Sequence, residues 1–231
     1  MLTRSKQVTH ENLRLRDPAF IDQVEAWFSG QQTEQPPAGT APMFMPLQLR
    51  DMRLVNRVMV SPMDMYSAVD GAVGDFHFVH FGSLAFGGAG LIFSEMTCVS
   101  EEGRITPGCA GLYQDDHIAA WKKCIDFVHE YSDAKFCLQI GHAGRKGSTR
   151  VAWEGMDKPL EDGNWPLIAP SAFPFYPESQ TPREMTRSDM DQVKADFIRA
   201  TQRAIETGAD MIELHRAQDA QTLGEGSGVA P

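Results

Sequence analysis

Between residues 58 and 215, short apolar runs alternate with stretches of helical period, and the order never breaks. Val58-Met59-Val60 is the first run, LIFSEMTCVS reads as a second strand, KFCLQIGH as a third and DMIELH as a fourth. In FHFVHFGSLAFGG, Phe78, Phe81 and Ala85 share a helical face; in DDHIAAWKKCIDFVHEYS, Ile118, Trp121, Ile125 and Val128 do. A third helix opens with Thr186 and Asp189 at capping-box spacing, carries Met190, Val193, Phe197 and Ala204 on one face, and stops at Thr207-Gly208. Strands this short and this apolar suit burial on both faces. Strict alternation with helices therefore predicts a parallel α/β sheet, open or closed. Gly87-Gly88-Ala89-Gly90 follows a helix and precedes a strand, so it reads as a helix terminator; a phosphate loop needs the reverse order.

Residues 1–42 look like a separate N-terminal helical arm and linker. Asp17-Pro18 is a suitable N-cap and first-turn pair, Ile21, Val24 and Phe28 share a face, and QQTEQPPAGTAP has linker composition. MPLQLRDMRLVNR reads as two short strands around a turn at Arg50-Asp51. Residues 143–186 form a long Pro-rich excursion, and residues 216–231 an irregular tail that includes GEGSG. Residues 43–215 are then the expected α/β domain.

Charge and composition close off other classes. The net charge is −10 with no basic block, which argues against nucleic acid as a partner. No apolar run approaches the roughly 20 residues of a membrane span. The start, MLTRSKQVTHENLRLRD, lacks an apolar signal core. The four cysteines, Cys98, Cys109, Cys124 and Cys137, show neither CxxC pairing nor metal spacing. The expectation is a cytoplasmic protein with reduced thiols and no metal. His77 and His80 read as one buried and one exposed helix histidine, not as ligands.

Chemistry gathers at the C-terminal ends of the strands, the edge where α/β folds bind ligands. The first strand ends in Ser61-Pro62-Met63-Asp64-Met65-Tyr66 and the second in Glu95-Met96-Thr97. The third carries Gln139 and ends near His142 and Arg145, and the fourth ends in Glu213 and His215. These residue types suit a flavin. Pro62, Met63 and Met96 offer apolar cover, Gln139 offers a paired donor and acceptor, and His215 a donor for a substrate carbonyl.

Taken in order, SPMDMYSAVDG, DFHFVHFGSLAFGGAGLIFSEMTCVSEEGRITPG, LQIGHAGRKGS and GADMIELH resemble the N-terminal half of the old yellow enzyme family, the FMN-dependent NAD(P)H:flavin oxidoreductases. The resemblance implies a (β/α)8 barrel with FMN at its C-terminal mouth, NAD(P)H as reductant, and hydride transfer to an activated C=C bond of an enone or enoyl-type substrate. It places Ser61, Pro62 and Met63 along the flavin, Asp64 near its O4 and N5, Met96 where a small residue is common, and Gln139 at the pyrimidine edge. Tyr66 borders the substrate, and His215 is the first of two substrate anchors. An ionised Asp64 there is expected to lower the flavin's potential. The arm ENLRLRDPAFIDQVEAWF resembles the linker of salicylyl-CoA hydroxylase-type monooxygenase/oxidoreductase fusions, which hints at aromatic or acyl-CoA catabolism and an acyl-CoA-like substrate.

The family's second anchor position is Gln218 here, and its proton-donating tyrosine is Ala220. A full barrel takes about 250 residues and commonly holds phosphate at the loops after strands 7–8. This chain offers about the first four βα units. Two readings therefore stand beside the enzyme: a catalytically incompetent fragment, and a noncatalytic half barrel that associates with a partner chain through open sheet edges.

Overall fold

The computed structural model describes residues 15–32, 35–37 and 39–215. The expected tail, Gln218 and Ala220 lie outside the described residues, as does the start of the arm. The chain divides into two compact units, residues 1–59 and 60–231. Among the described residues, no helix is long and apolar enough to cross a membrane.

In the first unit, helix α1 (Pro18–Gly30) begins where Asp17 Oδ1 accepts the Phe20 N–H at 3.0 Å. It buries Ile21 and leaves Trp27 exposed. The hairpin of β1 (Leu47–Leu49) and β2 (Met52–Leu54) pairs Leu49 with Met52, so the turn is Arg50-Asp51 as expected. Arg50 takes the left-handed conformation (φ 51°), which suits a two-residue hairpin turn.

The second unit is built around a parallel sheet. Strand β3 (Met59–Val60), split by the unit boundary, is followed by β4 (Leu91–Phe93), β5 (Thr97–Cys98), β6 (Lys135–Gly141) and β9 (Met211–Leu214). The sheet runs β3, β4, β6, with β5 continuing the β4 side of β6 and β9 on its other side. Helices α2 (Asp75–Phe86), α3 (Asp116–Tyr131) and α5 (Arg187–Glu206) connect them. The long excursion is not structureless. It holds a short helix, α4 (Ala152–Gly155), and a small parallel pair, β7 (Ile168–Ala169) and β8 (Arg183–Glu184).

Register assigns the two faces of β6. Phe136 lies among aromatics from α2 and α3: Phe81 is 5.1 Å away edge-on and Trp121 6.3 Å. All three rings are fully buried, worth ~1.5–3 kcal/mol each. Ile140, on the same face, packs with Ala200 and Phe197 of α5. Cys137, Gln139 and Gly141 therefore face the opposite side. α5 begins as expected, with Thr186 and Asp189 exchanging side chain-to-backbone bonds at 2.7 and 3.2 Å. Ala204 is buried as expected, but Asp196 and Ala200 join it while Met190 is 46% exposed, because the buried stripe starts a turn and a half later.

The second predicted strand is really two. β4 pairs Phe93 with Cys137, whereas β5 pairs Thr97 with Ile140. Three residues, Ser94 to Met96, thus oppose two, Leu138 and Gln139, which is a β-bulge. The Ser94 hydroxyl repairs the ladder, accepting the Gln139 N–H at 2.9 Å and donating to the Glu95 carbonyl at 2.8 Å. Without the extra residue, alternation would turn Met96 toward the helices.

Candidate functional site

At the C-terminal ends of these strands lies an open cavity of about 330 Å³ lined by Pro62, Asp64, Met96, Gln139, Glu213 and His215. Each position has a local reason. Pro62 and Asp64 follow β3 directly. The bulge turns Met96 inward. Gln139 and Glu213 are register partners on parallel β6 and β9, and the Gln139 amide donates to Glu213 Oε2 at 3.2 Å. His215 extends β9, its N–H bonded to Ile140 O at 2.9 Å, and is half-buried. Gly141 makes room: a Cβ there would stand 2.9 Å from Met96 Cγ and 3.4 Å from His215 Cβ.

Of the other expected residues, Ser61 and Met63 are exposed, Met63 by 49%, and neither lines the cavity. Tyr66 is half-buried one layer back. It holds φ at 49°, a strained value for a residue with a side chain, and packs on a cluster of Met96, Cys98, Ile105, Cys109 and Ala143. Its phenol stands near the Asp64 carboxylate. Burial, and next the Asp64 charge, push the Tyr66 phenol up from its ordinary value. Burial, and next the nearby Glu95, raise the Asp64 carboxyl to about 6.

Beneath the lining lies a group that strand-by-strand reading of the residues missed. His77 Nδ1 accepts the Gly74 N–H at 3.2 Å, which places the ring proton on Nε2. That nitrogen stands 2.9 Å from Glu95 Oε1, both side chains fully buried. Glu95 Oε2 accepts the Met65 N–H at 3.1 Å, and Asp64 Oδ1 accepts the Met96 N–H at 3.1 Å. A buried-face histidine followed by a strand-end glutamate was the available signal. His142 and Arg145 order the loop after β6. His142 Nδ1 accepts the Gly144 N–H at 3.0 Å, burial lowers its ring to about 4, and Arg145 donates to Ser171 at 3.1 Å. Among the described residues no cluster has the make-up of a metal site.

Residues 42–219 match the NADH:flavin oxidoreductase / NADH oxidase family. An NADPH dehydrogenase of Listeria monocytogenes is 42% identical over 177 residues, 76% of this chain and 48% of the relative. An NADH:flavin oxidoreductase of Gibberella zeae is 37% identical over 210 residues, 86% of this chain and 51% of the relative. Among solved structures, morphinone reductase superposes with a TM-score of 0.66 at 29% identity, over 76% of this chain and 48% of that enzyme. The old yellow enzyme from Pichia sp. AKU4542 gives 0.67 at 25% identity, over 78% and 47%. Morphinone reductase has also been solved in complex with tetrahydroNAD. These neighbours are TIM barrels with FMN as cofactor and NAD(P)H as reductant, and the sheet here follows part of such a barrel. The chain spans about half the length of these relatives, and it belongs to the NADH:flavin oxidoreductase / NADH oxidase family, that of the old yellow enzymes.

Proposed function

We propose that residues 43–215 form the flavin- and substrate-facing wall of an FMN-dependent oxidoreductase that uses NAD(P)H to reduce the activated C=C bond of a small enone or enoyl-type molecule. The observation that carries this reading is the single cavity shared by Pro62, Asp64, Met96, Gln139, Glu213 and His215 at one end of a parallel sheet. Its volume sits near the lower end of small-molecule sites, roughly 300 to 1,000 Å³. The residues present fit the ring: Pro62 and Met96 give apolar cover, and Gly141, having no Cβ, lets Met96 lie close against β6.

FMN, when bound, supplies the hydride carrier between NAD(P)H and substrate. The chain's own residues bind and orient. Gln139 offers the pyrimidine edge a donor and an acceptor, and Glu213 fixes the amide by taking one of its N–H groups. His215 donates to the substrate carbonyl oxygen, so electron density drawn toward that oxygen favours hydride arrival at the alkene carbon. Tyr66 packs behind Met96 near Asp64 and backs the substrate side of the cavity.

The test is FMN uptake by the purified chain. Flavin absorbance retained through gel filtration, bleached by NADPH without oxygen and restored by an enone, is the expected result. A colourless chain that leaves FMN fluorescence unquenched overturns the reading.

A second reading has its own observation. Among the described strands β9 pairs with β6, and its Leu214 is 57% exposed. An open edge of this kind supports association with a second chain. Sedimentation as a strict monomer at high concentration would count against it.

A further inference from the structure

Cys98 and Cys109 stand apart from the other thiols. Cys98 is on β5, and Cys109 closes a turn in which its own N–H bonds to the Thr106 carbonyl at 3.2 Å. The returning chain is bound to β5 on both sides of Cys98. The Cys98 N–H donates to Ala110 O at 2.8 Å, and Cys98 O accepts the Leu112 N–H at 2.9 Å. Both side chains are buried in one cluster with Met96, Ile105 and Ala143, and the Cys98 thiol neighbours the Cys109 sulfur. Cys109 Sγ also accepts the Thr106 N–H at 3.3 Å. The Thr106 hydroxyl, its oxygen already accepting the Gly108 N–H at 3.2 Å, stands 3.7 Å from the same sulfur with its proton free to donate.

We propose that Cys98 and Cys109 are a redox-sensitive thiol pair, which hydrogen peroxide converts to an intrachain disulfide beneath Tyr66. Donors converging on Cys109 stabilise its thiolate, so Cys109 is the attacking sulfur. It displaces hydroxide from peroxide, breaking the O–O bond and forming a sulfenic acid. The Cys98 sulfur then attacks that sulfenic sulfur, and hydroxide leaves. Two thiols and one peroxide give one disulfide and two waters, the two protons ending on the departing oxygens. Burial raises Cys109, but the donated bonds outweigh it and the net shift is downward. Burial raises Cys98, Cys124 and Cys137, and neither Cys124 nor Cys137 has a thiol neighbour among the interactions that shift it.

The location couples this chemistry to the site. Gly108 O accepts the Ala68 N–H at 3.0 Å, and a Cβ at Gly108 would stand 2.3 Å from Tyr66 O. The cysteine turn and the Tyr66 segment are thus packed backbone on backbone. Both thiols are essentially inaccessible, at 0% and 1%, so reaction waits on local opening of the 99–111 segment and is slow in the folded chain.

The test uses the full chain treated with hydrogen peroxide, then unfolded and titrated for thiols. The expected result is a fall from four thiols to two, a mass lower by two hydrogens, and recovery with dithiothreitol. Trypsin cleaves at Arg104, between the two cysteines, so the disulfide should join two separate peptides. Cys124→Ser should leave the joined peptides in place, and Cys98→Ala should abolish them. The peptide map of the unsubstituted chain decides the matter even if Cys98→Ala does not fold. Four surviving thiols, oxidation confined to Cys124 or Cys137, or sulfinic acid at Cys109 without a disulfide overturns the proposal.

Discussion

Asp64 and Glu95 clasp each other's backbone. The Asp64 carboxylate accepts the N–H of Met96, the residue after Glu95, and the Glu95 carboxylate accepts the N–H of Met65, the residue after Asp64. The reciprocal pair ties the segment after β3 to the bulge between β4 and β5. It does so with two acidic groups set close together in a poorly solvated place. That proximity adds to the desolvation that raises Asp64.

The raised carboxyl makes stability depend on pH. Unfolded, Asp64 ionises near 3.8, and folded near 6. Between those values the folded chain holds the extra proton, so stability falls as pH rises through the window and levels off above it. The full penalty is about 3 kcal/mol at most, less where solvent at the cavity mouth screens the charge. Asp64→Asn keeps an acceptor for Met96 and cannot ionise. Urea unfolding should show the variant close to the parent at pH 4 and roughly 1–3 kcal/mol more stable at pH 7.5. Equal stability at both pH values would show that burial of Asp64 carries no charge penalty.

Glu95 tests the second cause. Glu95→Gln removes the charge beside Asp64 and keeps one acceptor oxygen, enough for the Met65 N–H or the His77 Nε2–H but not for both. The Asp64 transition, followed by carbon-13 NMR of its carboxyl, should move down from about 6 without reaching its ordinary value, because burial is the larger cause. Glu95→Ala is a harsher change. It strands the buried His77 ring N–H and the Met65 amide, at a cost of about 3–5 kcal/mol. An unchanged transition in Glu95→Gln would remove Glu95 from the electrostatics of the site.

Gly141 gives Met96 its place against β6. A methyl there meets Met96 Cγ at 2.9 Å and Sδ at 3.0 Å, both on a flexible side chain. Gly141→Ala should therefore fold, at a cost of about 1–2 kcal/mol. The displaced Met96 has the cavity as its free space. FMN affinity, read by quenching of flavin fluorescence, should fall about tenfold, equivalent to ~1.4 kcal/mol. An unchanged FMN affinity would mean that Met96 does not wall the ring.

The fold was legible where periodicity speaks. Trp121, Ile125 and Val128 are buried on α3 at the expected spacing, and Gly88, with φ at 78°, ends α2 as its position before a strand implied. LIFSEMTCVS reads as one strand because Ser94 and Thr97 are compatible with a strand and a bulge leaves no mark on composition. Only the register of β6 against both halves reveals the extra residue. Met190 continues an apolar pattern and so suits the buried face by sequence, whereas Asp196 takes a core position that hydrophobicity alone would deny it. At the site, residue type at strand ends pointed to Gln139 and His215. The His77–Glu95 contact joins a helix to a bulge, and although each residue stands out by its position, spacing along the chain does not pair them.

The bulge gives the last prediction, because one hydroxyl holds its geometry. Ser94 Oγ stands in for the ladder acceptor at Gln139 N and anchors the Glu95 carbonyl, with Thr97 Oγ1 a second donor to that carbonyl at 3.1 Å. In Ser94→Ala the Glu95 carbonyl keeps Thr97, but the Gln139 N–H is buried with no acceptor, at a cost of about 1–3 kcal/mol. The loss should be local. Hydrogen exchange at the Gln139 amide should accelerate by far more than at Phe136, whose N–H is held independently by Asp210 at 2.8 Å. Because the Gln139 side chain rides on that peptide, FMN affinity should fall in step with its exchange rate. Uniform acceleration along β6 would instead mean that Ser94 contributes only global stability and that the bulge does not position the amide.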